Sequence, residues 1–71
     1  QRQGYATSAL AQILQYPREQ GMPFVEIVTN VDNYASQKVV ANNGGVLKEE
    51  FEKPASSGGG KALRYLIAFS A

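Results

Sequence analysis

Residues 23–45, PFVEIVTNVDNYASQKVVANNGG, decide the fold. From Pro23 to Thr29 branched and aromatic residues crowd around a single charge, Glu26, a composition that predicts a largely buried strand ending at Asn30. The pattern then changes. Asp32 or Asn33 can cap a helix whose inward residues are Ala35, Val39 and Val40, and Gly44 is free to take the left-handed conformation that closes it. A strand that passes at once into a helix points to an α/β chain.

Upstream, apolar residues fall at Ala6, Ala9, Leu10, Ile13 and Leu14, a spacing of three and four that lays one stripe along a helix. Gln12 and Gln15 mark its solvent side. Pro17 lacks a backbone donor and costs about 3 kcal/mol in a helix interior, so the reading places a kink or break near Tyr16, a last turn over 18–20 and an end at Gly21. Downstream, Gly45 to Lys53 reads as a more exposed strand, and Ala62 to Phe69 alternates Leu63, Tyr65, Ile67 and Phe69 on one face. These two strands are expected to pair as a hairpin around PASSGGGK (54–61), a stretch too glycine-rich to hold one conformation. The order helix, strand, helix, strand, strand is expected to form a mixed sheet, and a helix that opens a chain is usually fed by a strand packed beneath it.

Composition removes several function classes. The 71 residues hold no cysteine and no histidine, which excludes disulfides, thiol nucleophiles, imidazole bases and the usual zinc sites. A net charge of +1, with basic and acidic residues interspersed, provides no basic field for nucleic acid. No apolar run approaches the roughly 20 residues of a membrane span, and no secretory signal is visible, so a cytoplasmic location is the expectation. At 44% hydrophobic and 18% charged residues the chain is globular in composition. It is long enough for one small domain with a marginal core.

Gly4, ahead of the first apolar stripe, suggests a turn whose backbone N–H groups point outward where the helix dipole places about half a positive charge. That arrangement suits an anion. Small residues at Gly4 and Ala6 would let a phosphate approach the main chain, with the Thr7 hydroxyl and the Arg2 charge nearby. Spacing alone favours a plain turn. QRQGYA, however, resembles the RxxGxG/A motif, with glutamine first, of the GNAT superfamily of N-acetyltransferases. The following helix, the strand ending IVTNVDN, the helix with NYAS, then NNGGVL and a closing RYLIAF strand, resemble that family in the same order over nearly the whole chain.

The resemblance implies the C-terminal half of a GNAT fold, from the pyrophosphate loop onward, with residues 1–71 one partial domain. It implies acetyl-coenzyme A as cosubstrate, its pyrophosphate held by the loop around Gln3, Gly4, Tyr5, Ala6 and Thr7, with Gln1 in the motif's first place and Arg2 adding charge. Asn33 matches the family's asparagine that contacts the pantetheine arm or nearby backbone, and Ser36 follows one turn later. Both also have plain structural readings, as a helix cap and as a small packing residue. Many family members carry NxxAxxLY here, whose tyrosine is thought to protonate the departing thiolate; this chain has Val40 instead. A thiol pKa of about 8.5 leaves the thiolate a tolerable leaving group without that acid. Tyr34 and Tyr65 are assigned no catalytic role, and the base is expected to precede Gln1. The implied reaction is acetyl transfer to an amine by direct attack in a ternary complex, with a non-catalytic coenzyme A-binding or interaction module as the alternative. By itself the 71-residue chain is expected to be inactive and, because its first strand lacks a second neighbour, either to self-associate or to be partly unfolded.

Overall fold

The computed structural model describes residues 2–69 and orders them as α1 (Arg2–Glu19), β1 (Phe24–Asn30), α2 (Tyr34–Asn42), β2 (Gly45–Glu52), a single 3-10 turn (Ala55–Ser57) and β3 (Lys61–Ala68). The expected order of helix, strand, helix, strand, strand is therefore present. The strands form one sheet in the order β1-β3-β2, and both pairings are antiparallel. β2 and β3 make the expected hairpin, with a register shift between Leu47 and Glu49.

α1 begins earlier than the glycine signal suggests. Gly4 lies inside its first turn rather than ahead of it. At the other end the helix runs through Pro17 to Glu19 without the expected break. Pro17 is only two residues from the end at Glu19, so its ring removes one bond, the one Ile13's carbonyl would have accepted, and Ile13 is 68% exposed to solvent. The last turn then closes as a Schellman motif: Met22 N–H donates to Pro17 O at 3.1 Å, Gly21 N–H donates to Arg18 O at 3.1 Å, and Gly21 takes φ +77°. α2 ends comparably, with Gly44 N–H donating to Ala41 O at 3.0 Å and Gly44 at φ +87°, as expected of it.

The core lies on one face of the sheet. Leu63, Tyr65 and Ile67 of β3 meet Leu14 of α1 and Val40 of α2, with Leu10, Val25, Ile27 and Phe69 packed around them. Both helices cover this face, and no described element covers the opposite one. There Arg64 of β3 pairs with Glu49 of β2 at 2.7 Å and with Glu26 of β1, a charged tie across all three strands. The two carboxylates, Glu49 foremost, hold the guanidinium pKa above its ordinary value.

β1 departs from the buried strand its composition suggests. Val25, Ile27 and Thr29 turn inward, whereas Phe24 and Val28 stand exposed on the uncovered face. β1 is also an edge strand. Phe69 N–H donates to Pro23 O and Val31 N–H to Lys61 O, so the odd-numbered residues of β1 bond to β3 and the even-numbered ones point their main-chain groups at the free edge. The glycine-rich connection takes a defined course. Ser57 and Gly59 donate to Pro54 O, and Gly58, Gly59 and Gly60 all have positive φ. Among the described residues no helix is long and apolar enough to cross a membrane.

Candidate functional site

The α1 stripe does not all reach the core. Leu10 and Leu14 do, while Ala6, Ala9 and Ile13 are exposed and form one wall of a groove. Ala35 of α2, expected to point inward, is likewise exposed and faces the same groove, because the core contact of this short helix is made one turn later by Val40. The inward residues Ile27 and Thr29 of β1 complete it. The groove holds about 480 Å³ and is mostly apolar; among the described residues its polar lining is Arg2, Gln3, Thr29 and Ser36. An apolar cleft with a few placed polar groups is the usual form of a small-molecule site.

The first turn of α1 stands at one end of this groove through Arg2, Gln3 and Ala6. Because α1 starts at Arg2, the N–H groups of Arg2, Gln3 and Gly4 have no intrahelical acceptor among the described residues. Those of Ala6 and Thr7 have acceptors one turn back in the helix. Gly4 has no positive φ, and a Cβ built there would meet nothing within 4 Å. Neither backbone conformation nor packing requires glycine at this position, where it weakens a helix by roughly 0.5–1 kcal/mol relative to alanine.

The other sequence-predicted residues divide between groove and scaffold. Tyr5 is 78% exposed and does not line the groove. Thr7 is tied to the end of α2: its hydroxyl accepts from Asn42 Nδ2 at 3.3 Å and its carbonyl from Asn43 Nδ2 at 3.1 Å. Asn43 Nδ2 also reaches Val39 O at 3.0 Å, so one amide fastens the two helices together. Asn33 caps α2, its Oδ1 accepting the Ser36 N–H at 3.2 Å, and it lies outside the groove lining. Ser36 lines the groove. Gln1 lies outside the described residues.

Sequence reasoning missed Thr29, Ile13 and Ala9 as groove residues. Helical spacing counted Ile13 and Ala9 as core, and only the exposed flank of α1 reveals their position. Thr29 carried a signal, a hydroxyl in an otherwise aliphatic inward row. Gln37 was also missed: its Nε2 donates to Asn30 O at 3.2 Å and Val31 O at 3.0 Å, fixing the start of α2 against the end of β1. Val40, where the resemblance implies a tyrosine in many relatives, lines the groove but is only 3% exposed and belongs to the core.

Residues 1–46 of the chain match the family described as Acetyltransferase (GNAT) domain. A comparison with curated proteins gives no match.

Proposed function

The chain belongs to the GNAT acetyltransferase family, and from that premise we propose that the protein transfers an acetyl group from acetyl-coenzyme A to a primary amine by direct attack in a ternary complex. The amine nitrogen bonds to the thioester carbonyl carbon and loses a proton to a base, the C–S bond breaks, and the thiolate leaves and takes a proton from water. The observation that carries this reading is the start of α1 beside an apolar groove that Arg2 and Gln3 line, where the amides of Arg2, Gln3 and Gly4 have no intrahelical acceptor among the described residues.

These groups suit different parts of the cosubstrate. Helix N-terminal amides and a guanidinium favour the pyrophosphate. The apolar walls suit the arm that carries the acetyl group, with Ser36 and the Asn33 cap ordering the α2 side. A second reading, a coenzyme A-binding or interaction module without turnover, is favoured by Val40, which offers no proton where many relatives have a tyrosine. Thermal-shift titration with acetyl-coenzyme A, coenzyme A and ATP, followed by turnover with a panel of amines, separates the two. Stabilisation by both coenzyme A forms with turnover supports the enzyme, stabilisation without turnover supports the module, and no stabilisation by either contradicts both.

A further inference from the structure

Thr29 sits in the inward row of β1 at 6% exposure, and its Oγ1 is the one buried side-chain polar atom among the described residues that has no hydrogen-bond partner. Leaving such an atom unsatisfied costs about 1–3 kcal/mol. Valine has nearly the same shape and would avoid that cost, and the other inward residues of β1, Val25 and Ile27, are aliphatic. Packing therefore gives no reason for a hydroxyl at this position.

Thr29 also lines the groove, which supplies the missing partner's place. Rotation about the Cα–Cβ bond exchanges Oγ1 and Cγ2 between staggered positions, so the hydroxyl can turn to the groove without backbone movement. A hydroxyl can donate one hydrogen bond or accept through its oxygen, which matches a neutral amide and not a charged group, since a lone hydroxyl in apolar surroundings solvates a charge poorly. We infer that Thr29 is a binding residue for an amide of the acyl carrier's arm, ranking carriers by that arm rather than by their phosphates; this rests on the acetyl-coenzyme A reading above.

The test compares the wild-type protein, Thr29→Val and Thr29→Ser by calorimetric titration with acetyl-coenzyme A and with adenosine 3′,5′-bisphosphate, which lacks the arm. Thr29→Val is expected to lose roughly three- to tenfold in affinity for acetyl-coenzyme A, the worth of one neutral hydrogen bond. It should keep its affinity for the bisphosphate and melt no earlier than wild type when free of ligand. Thr29→Ser, which retains the hydroxyl, should bind acetyl-coenzyme A as wild type does. Equal acetyl-coenzyme A affinity in wild type and Thr29→Val, or equal losses for both ligands, would overturn the inference and leave the function standing. A Thr29→Val protein that fails to fold would overturn it as well, by making the hydroxyl part of the fold. Wild type that binds no acetyl-coenzyme A would remove the function and the inference together.

Discussion

Gly45 begins β2 directly against Val40: a Cβ at Gly45 would lie 2.8 Å from the Val40 carbonyl oxygen and would also strike its Cγ1 methyl. The methyl belongs to a side chain and can be removed, but the carbonyl is part of α2 and cannot yield cheaply. Gly45→Ala is therefore expected to destabilise the protein by about 1–3 kcal/mol in urea unfolding. Adding Val40→Ala should not restore the loss, because the carbonyl contact remains. A neutral Gly45→Ala variant would show that the α2–β2 junction is looser than described.

The same contact bears on chemistry. Position 40 is a core position closed by Gly45, so Val40→Tyr should overpack it and cost about 1–3 kcal/mol rather than install a working acid. Faster amine acetylation by a stable Val40→Tyr protein would contradict this.

The turn before β3 gives a third expectation. Gly58, Gly59 and Gly60 have φ of 93°, 66° and 82°. An L side chain at Gly59 has open space but meets a backbone conformation that costs about 1–2 kcal/mol, so Gly59→Ala should lower stability by about that amount, and by more than Gly4→Ala, which should be neutral or stabilising. The turn's amides should still exchange with solvent faster than those of β3, which is bonded on both sides. Equal protection would mean that a further contact clamps the turn.

Much of this architecture was legible because local chemistry settles it. Gly21 and Gly44 close their helices where a left-handed residue is needed, Asn33 caps α2, and Leu63, Tyr65 and Ile67 alternate into the core. What stayed hidden depends on which surface covers which. Ala6, Ala9 and Ile13 have the spacing of a core stripe, yet α1 is rolled so that Leu10 and Leu14 pack and Thr7 is held by Asn42 and Asn43. No periodicity encodes those interhelical bonds. Phe24 and Val28 look buried in sequence but stand on a sheet face that no described element covers. The groove follows from the first of these departures, which leaves Ala6, Ala9 and Ile13 beside β1 instead of in the core; its first turn was readable in QRQGYA and its floor, Thr29, was not.

The two sheet edges differ in their protection. β2 carries Lys48, Glu49, Glu50 and Glu52 with a register shift, the usual devices against edge pairing, whereas β1 offers only Glu26 between Phe24 and Val28. The 71-residue chain is expected to self-associate through β1, a second copy adding its own β1 to the free edge. Light scattering should show an oligomer that Val28→Lys, 51% exposed in the single chain, converts to monomer. A wild-type monomer at high concentration would contradict the expectation.

The central claim, that the first turn of α1 holds the phosphate end of acetyl-coenzyme A, is tested most directly at Gly4. A Cβ there meets no atom within 4 Å beyond its own stretch of helix, so valine should leave the fold intact by circular dichroism while placing a branched side chain beside the amides that a pyrophosphate needs. Calorimetric titration of Gly4→Val with acetyl-coenzyme A should show affinity at least tenfold below wild type. Undiminished affinity in the folded variant would contradict the account.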